Sequence, residues 1–236
     1  MAIIENKYRI GVKYVNQNRL LTLRGIILLL EDLACRHSDM VGFGINDTLK
    51  TNLSWVLLNW KIKILKEANY GSTVTVKTWS RDTNKLYTYR DFEIYDENNN
   101  LICIASSKWV LLSTKTGHIT QITDEIRNAY NPENKTVFEE PEISKLIEPS
   151  NANETFSFRV NRRDIDINNQ YYLDYALEAL PEDVYLKKFK NVEITYKNSS
   201  KLGDIVNCFY KEQEDGYYVV MKSETSKILY AIIKLC

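Results

Sequence analysis

Residues 164–178 read DIDINNQYYLDYALE, an acid- and amide-rich loop that runs directly into an amphipathic helical pattern. Residues 14–18, YVNQN, stand at the equivalent place in an internal repeat, because YRI at 8–10 matches FRV at 158–160 at the same offset. Each copy leads into a helical pattern and then into strand-like runs. The period is far longer than ~50 residues, so it predicts two copies of one α+β domain rather than a solenoid.

The first half of the chain predicts one long helix followed by strands. Apolar residues recur at helical spacing from position 23 to position 34, so one face of this helix should be buried. Runs rich in Val, Ile, Thr, Tyr and Trp then predict strands at 55–65, 73–79, 86–95 and 101–112.

The second half repeats this order on a smaller scale. A helical stripe runs from Leu173 to Leu180, and Pro181 should end the helix. Strands are predicted at 192–196, 205–213, 217–224 and 228–235. The polar stretch between the halves, in which Thr123 begins a possible short helix, predicts a linker. The domains are therefore expected at 1–115 and 154–236, with the linker at 116–153.

Composition argues against several classes of protein. The 236 residues are 44% hydrophobic, and 31 basic residues balance 31 acidic ones, so no global charge attracts nucleic acid or a membrane surface. The cysteines are far apart and are expected to be free thiols in a reducing compartment. Residues 1–7 contain no signal-peptide hydrophobic region, and no apolar run reaches the ~18–20 residues that span a bilayer. We therefore expect a soluble cytoplasmic protein.

The loop at 164–170 has a chemical interpretation and a purely structural one. A carboxylate and two amides beside a helix N-terminus favour a developing anion, because the first N–H groups of a helix are unpaired and its macrodipole is positive there. This setting suits attack of water on a thioester. The structural alternative is an N-cap rich in Asp and Asn, with no further role.

The loop resembles the Asp-x-Asn-x-His-Val-Asn-Asn segment of plant and bacterial acyl-acyl carrier protein (acyl-ACP) thioesterases. Further similar stretches follow in the family's order at 21–44, 55–58, 70–79 and 105–112. The resemblance implies a tandem double hotdog fold, each half a long helix wrapped by a largely antiparallel β-sheet. It also implies hydrolysis of fatty acyl-ACP to free fatty acid in fatty acid biosynthesis.

In this family the loop supplies a catalytic Asp, Asn and His. The present sequence can be aligned with this loop motif in two ways. In one, residues 166–170 match Asp-x-Asn-x-His and Gln170 stands at the histidine, which requires a deletion of about one helical turn. In the other, Asn168 and Asn169 match the Asn-Asn after the histidine, and Asp166 takes the histidine's place. Neither alignment supplies a histidine.

The family's catalytic glutamate also appears to be replaced. Ser199 stands where this Glu is expected, and Ser200 stands where a Cys often occurs. The resemblance then leaves Asp166 as general base or water-orienting group and Asn168 as the group that holds the water or the thioester carbonyl. Gln170 and nearby N–H groups would form the oxyanion pocket, with Asn169 and Ser199 binding substrate.

Other residues have weaker functional interpretations. Trp55 and Trp60 would line the acyl tunnel by resemblance, although core packing is the usual role of strand tryptophans. Arg162 and Arg163 flank the loop and are expected to dock the acidic carrier protein, unless they are merely solvated surface charges. Cys35 and His37 alone do not make a metal site, and neither a metal nor an organic cofactor is implied.

Three functions remain open at this point. The leading one is acyl-ACP thioesterase. The first alternative is an acyl-CoA thioesterase, and the second is a non-catalytic module that binds acyl groups or acyl carrier protein, which the missing His and Glu favour. Two fused copies can pair as two subunits do, so a monomer or a homodimer is expected.

Overall fold

The protein was analysed as a computed structural model, which describes residues 2–81, 84–165 and 171–236. The chain divides into two compact units. The first unit contains Met1–Leu58 and Ile62–Ile143, and the second contains Asn59–Lys61 and Ser144–Cys236.

The first unit contains one long helix, two short helices and a sheet. Its helices are α1 (Leu23–Met40), α2 (Thr48–Thr51) and α3 (Asp124–Tyr130), and its strands are β1 (Ile3–Arg9), β2 (Leu53–Ile64), β3 (Thr73–Ser80), β4 (Tyr87–Tyr95), β5 (Leu101–Ser113) and β6 (Ile119–Thr120). The strand order is β1-β3-β4-β5-β2, with β6 paired to β5. The β1–β3, β3–β4 and β4–β5 pairs are antiparallel.

Helix α1 begins where the sequence provides an N-cap. The Oγ1 atom of Thr22 accepts a hydrogen bond from the Gly25 amide at 2.9 Å, which satisfies one of the unpaired N–H groups of the first turn. A Cβ atom on Gly25 would lie 2.4 Å from the carbonyl oxygen of Tyr14. A glycine at this position therefore lets the helix lie close to the preceding turn. The apolar face from Ile26 to Ala34 is buried, as predicted.

The second unit repeats the plan with a shorter helix. Its helices are α4 (Tyr171–Glu178) and α5 (Glu182–Tyr185), and its strands are β7 (Asn153–Arg159), β8 (Asn191–Tyr196), β9 (Ile205–Gln213), β10 (Gly216–Ser223) and β11 (Leu229–Leu235). The strand order is β8-β11-β10-β9-β7, and the β8–β11, β11–β10, β10–β9 and β9–β7 pairs are antiparallel. Pro181 follows the end of α4, as predicted, and caps α5.

Residues 133–142, which we call the strap, cover one face of the first sheet. The amide of Val137 donates to Oδ2 of Asp91 at 3.1 Å, and Nζ of Lys135 donates to Oε1 of Glu93 at 2.6 Å. Nη2 of Arg81 donates to the carbonyl of Pro141 at 2.6 Å. Side chains alternate across a strand, so Asp91 and Glu93 point to the face of β4 opposite Arg90.

The predicted strands of both halves are present, with ends that differ by one or two residues from the prediction. The strands β1, β6 and β7 and the helices α2 and α5 were not predicted. Among the described residues, no helix combines the length and the apolar character needed to cross a membrane.

Candidate functional site

The candidate catalytic loop is bounded by Asp164 and Ile165 on one side and Tyr171 on the other. The predicted residues Asp166, Asn168, Asn169 and Gln170 lie outside the described residues, so their roles remain predictions. The geometry of the site therefore comes from the segments that flank the loop.

Asp164 organises the N-terminal flank. Its Oδ2 atom accepts a hydrogen bond from the Asn161 amide at 2.7 Å, and its Oδ1 atom accepts one from the Tyr175 hydroxyl at 3.2 Å. The Tyr175 ring is stacked on Phe158 with centroids 3.6 Å apart. This buried carboxylate ties the turn at Arg162–Asp164 to α4.

The first residues of α4 form hydrogen bonds with the segment at 198–200. The hydroxyls of Tyr171 and Ser200 are hydrogen-bonded to each other. The Ser200 amide donates to the Tyr172 hydroxyl at 3.0 Å, and this hydroxyl donates to the Asn198 carbonyl at 3.4 Å. The structure thus joins the segment that carries the expected glutamate position to the helix that follows the candidate loop.

The phenols around this junction stay protonated at neutral pH. Burial raises the pKa of Tyr172. Burial, together with a hydrogen bond to Asp204, raises the pKa of Tyr230 to about 12. The Tyr230 hydroxyl lies 3.1 Å from Oδ2 of Asp204, which also accepts the Lys201 amide at 2.8 Å. These tyrosines therefore act as neutral hydrogen-bonding groups.

The serines differ in exposure. Ser199 is exposed, whereas Ser200 is buried against Tyr171. Both histidines of the chain, His37 and His118, belong to the first unit. Because the second unit supplies no imidazole to deprotonate a hydroxyl, a serine nucleophile has no support.

The predicted tunnel residues Trp55 and Trp60 lie in different surroundings. Trp55 is partly buried, and its Nε1 atom donates to the Tyr130 hydroxyl at 2.9 Å. Trp60 is fully buried and lies in Asn59–Lys61, the short stretch of β2 that belongs to the second unit. The odd separation of five positions on β2 places the two side chains on opposite faces of a regular strand.

The predicted docking residues Arg162 and Arg163 are both exposed, on the turn that precedes the loop. The Nε atom of Arg163 lies 3.6 Å from Oδ1 of Asp164, and its side chain is 80% exposed. Hydrogen bonding to Tyr175 raises the pKa of Arg163, so its charge is permanent. Both side chains therefore face solvent, and their role in docking stays a prediction.

The first copy of the repeat shows what an equivalent side chain does in the first unit. Asn16, at the place that corresponds to Asp166, accepts the Asn18 amide at 3.0 Å and the Leu20 amide at 3.1 Å through Oδ1. This is a local turn with a structural role. Asn16 is therefore a matched control for Asp166.

The two histidines of the first unit lie in different surroundings. The Nδ1 atom of His37 lies 3.0 Å from Nη1 of Arg90, and His118 is in an exposed turn. Within the ranges that the structure describes, no three His, Cys, Asp or Glu side chains converge to hold a metal ion.

The sequence patterns did not predict the hydrogen bonds that Asp164, Tyr171, Tyr172 and Tyr175 form around the candidate loop. A signal for Asp164 was present, since an Asn followed three residues later by an acid is a capping pattern. The tyrosine contacts had no local signal, because Ser200 lies 29 positions from Tyr171.

Comparison with known protein families gives the decisive observation. The family model "Acyl-ACP thioesterase N-terminal domain" matches residues 2–130, and "Acyl-ACP thioesterase C-terminal domain" matches residues 147–233. The chain belongs to the acyl-ACP thioesterase family. The resemblance in the sequence motifs is thereby confirmed.

Individual acyl-ACP thioesterases support this assignment. The chain is 29% identical over 226 residues to oleoyl-acyl carrier protein thioesterase 2, chloroplastic, of Arabidopsis thaliana, a match that covers 86% of this chain and 60% of the relative. It is 25% identical over 240 residues to oleoyl-acyl carrier protein thioesterase, chloroplastic, of Coriandrum sativum. This match covers 91% of this chain and 63% of the relative. The chain thus spans less than two thirds of the length of these curated relatives.

Solved structures confirm the tandem hotdog fold. An acyl-ACP thioesterase from Bacteroides thetaiotaomicron superposes with a TM-score of 0.86 at 23% identity, over 99% of this chain and 96% of that one. The 12:0-ACP thioesterase from Umbellularia californica gives a TM-score of 0.84 at 19% identity, over 99% and 97%. At these identities the likeness concerns the fold alone.

Proposed function

We propose that this protein hydrolyses the thioester of fatty acyl-ACP and releases free fatty acid. The observation that carries the proposal is the match of both acyl-ACP thioesterase domains, in order, to the two halves of the chain. The relatives named above carry this activity in their names.

The proposed chemistry uses the loop at 166–170. Asp166 acts as general base or orients the attacking water, and Asn168 holds that water or the thioester carbonyl. Gln170 and backbone N–H groups at the start of α4 stabilise the oxyanion, each such donor contributing about 10²–10³ in rate. Asn169 and Ser199 contact the substrate. Turnover should be slow, since a missing acid–base residue typically costs about 10²–10⁴.

The proposed partner is acyl carrier protein, with Arg162 and Arg163 as its docking residues. Their exposure and permanent charge support this assignment. Long-range attraction between these cations and an acidic carrier should raise the association rate at low salt.

The test is release of thiol and free acid from acyl-ACP substrates of several chain lengths by the purified chain. We expect thiol and acid in equal amounts, and a loss of at least about tenfold in kcat for Asp166→Ala. Asn16→Ala, in the equivalent turn of the first unit, is the matched control and should keep wild-type kcat. Wild-type turnover in Asp166→Ala contradicts the mechanism, and no turnover by the wild-type chain contradicts the function.

The same assay separates two alternatives. Faster turnover of acyl-CoA than of acyl-ACP identifies an acyl-CoA thioesterase. Saturable thioester binding without release of thiol identifies a binding module, which the serine at position 199 and the lack of a histidine in the second unit favour.

The proposal also covers the domain boundaries, the oligomeric state and the cellular compartment of the protein. We place the acyl-chain pocket, including Trp55 and Trp60, in the domain at 1–115, the catalytic loop in the domain at 154–236, and a linker at 116–153. The protein would act in fatty acid biosynthesis in the cytoplasm, as a monomer or homodimer. The free state of all its cysteines supports a reducing compartment, although the plant relatives named above are chloroplastic.

A further inference from the structure

Tyr172 is a buried phenol that connects α4 to both sides of position 199. It lies in the first turn of α4 and is fully buried. Its hydroxyl accepts a hydrogen bond from the Ser200 amide at 3.0 Å and donates one to the Asn198 carbonyl at 3.4 Å. One oxygen atom thus holds the backbone immediately before and immediately after residue 199.

The protonation state of Tyr172 suits this double role. Burial raises the pKa of its phenol, so the hydroxyl keeps its proton at neutral pH. A neutral phenol can accept one hydrogen bond and donate another at the same time. A phenolate could not donate to the carbonyl, and a phenylalanine at this position could make neither bond.

The ring of Tyr172 is held in place by other tyrosines. Its centroid lies 4.5 Å from that of Tyr171, 6.2 Å from that of Tyr230 and 6.3 Å from that of Tyr196. The neighbouring Tyr171 adds a second contact to the same segment, since its hydroxyl is hydrogen-bonded to that of Ser200. A side chain whose rotamer is locked by such packing can hold a neighbouring group at a fixed place.

The segment at 198–200 is also bonded to the sheet of the second unit. The Asn198 amide donates to the Tyr230 carbonyl at 3.3 Å, and Nδ2 of Asn198 donates to the Leu229 carbonyl at 2.8 Å. These bonds fix the segment to β11, whereas the Tyr172 hydroxyl fixes it to the helix. The length of the Tyr172 side chain therefore sets the distance between position 199 and the first turn of α4.

We propose that Tyr172 is a positioning residue for thioester hydrolysis. It acts through Ser199 and the N–H groups at the start of α4, to which the proposed mechanism assigns substrate contact and the oxyanion. This inference rests on the proposed function. The two sets of groups come from separate segments, and a displacement of about 1 Å between such groups can cost about 10² in rate. Tyr172 should therefore affect kcat more than KM.

Steady-state kinetics of Tyr172→Phe test the proposal, with the acyl-ACP that the wild-type chain hydrolyses fastest as substrate. Phenylalanine keeps the ring and removes only the hydroxyl. We expect kcat to fall by about tenfold to a hundredfold. KM should stay within about twofold of its wild-type value, as for the loss of an interaction that matters only in the transition state.

Tyr218→Phe is the matched control. Tyr218 is also a buried tyrosine of the second unit, 7% exposed, and its hydroxyl donates to Oδ2 of Asp215 at 2.9 Å. Within the part of the chain that the structure describes, neither residue is hydrogen-bonded to the segment at 198–200. Both variants lose a buried hydrogen bond and should lower the midpoint of urea unfolding. Only Tyr172→Phe should lose kcat.

Three outcomes overturn the positioning role while the proposed hydrolysis stands: wild-type kcat in Tyr172→Phe, an equal loss of kcat in Tyr218→Phe, or a rise in KM with unchanged kcat in Tyr172→Phe. If circular dichroism shows that Tyr172→Phe does not fold, Tyr172→Met replaces it, because methionine fills irregular gaps and also lacks the hydroxyl. Wild-type kcat in that variant is equally fatal. Absence of turnover by the wild-type chain contradicts the hydrolysis itself, and the positioning role fails with it.

Discussion

The Tyr175 hydroxyl lies 3.2 Å from Oδ1 of Asp164 and donates its hydrogen to that buried carboxylate. This contact connects the turn before the candidate catalytic loop with the helix after it. We therefore expect Asp164→Ala to lower the free energy of unfolding by about 1–3 kcal/mol, since it leaves the Asn161 amide and the Tyr175 hydroxyl without their acceptor.

Urea unfolding measures this loss. Arg163→Gln is the control, because an ion pair made by so exposed a side chain as Arg163 adds little to stability in water. Equal midpoints for Asp164→Ala and the wild-type chain would show that the carboxylate has no organising role.

The contact between Tyr171 and Ser200 predicts an energetic coupling between two segments far apart in sequence. Tyr171→Phe, Ser200→Ala and the double variant form a double-mutant cycle, for which we expect a coupling of about 1 kcal/mol. A coupling near zero would mean that the two hydroxyls do not stabilise each other.

The missing family residues predict a gain of activity. Ser199 is exposed, so glutamate should fit there without repacking. We expect Ser199→Glu combined with Gln170→His to raise kcat on acyl-ACP by at least about tenfold, as restored acid–base groups should. Asp166→His with Ser199→Glu tests the second alignment. If neither pair gains activity, the carried-over positions are wrong.

The close approach at Gly25 predicts a large difference between two glycine substitutions. Gly25→Ala would bring a Cβ atom within 2.4 Å of the Tyr14 carbonyl oxygen, and we expect a loss of about 1–3 kcal/mol in unfolding free energy. Gly11 has no atom within 4 Å of an added Cβ, so Gly11→Ala should be neutral or slightly stabilising. Thermal unfolding of the two variants would show similar midpoints if this packing argument were incorrect.

Thiol chemistry predicts a fixed order of reaction with Ellman's reagent. Cys236 is exposed and should react first, although burial raises its pKa too. Burial raises the pKa of Cys35 to about 11, so about one thiol in a thousand is ionised at pH 8, and its rate should rise tenfold per pH unit up to about pH 11.

Cys103 and Cys208, with pKa values raised by burial to about 12, should react only on unfolding. Cys236→Ser should therefore remove most of the native reactivity, and rapid labelling of that variant would contradict this order. The variant also lowers the background of a thiol-release assay.

The long strands that the sequence patterns did not predict, β1 and β7, were missed for the same physical reason. β1 and β7 are edge strands of their units, and only Ile4 and Phe158 of their residues are buried. An edge strand with one buried side chain has no alternating apolar pattern to recognise. The central strands, in contrast, are rich in buried Val, Ile and Trp and were predicted to within one or two residues.

The sequence marks the candidate loop but not the contacts that surround it, and the catalytic role of the loop stays a prediction. The repeat and the capping pattern point to the loop before α4. Its supports come from far along the chain, however, as the Ser200 contact with Tyr171 illustrates, and no local pattern encodes such pairs. The missing histidine was evident in the sequence itself, because the only candidates, His37 and His118, lie in the other half.

The strap has a practical consequence for dividing the protein. A fragment that stops before residue 133 would leave Asp91 and Arg81 of the first unit open to water and would remove the carbonyl of Lys135 from the Trp79 indole. Exchanges of halves among relatives should therefore be joined after Ile143, so that the first unit keeps its own strap.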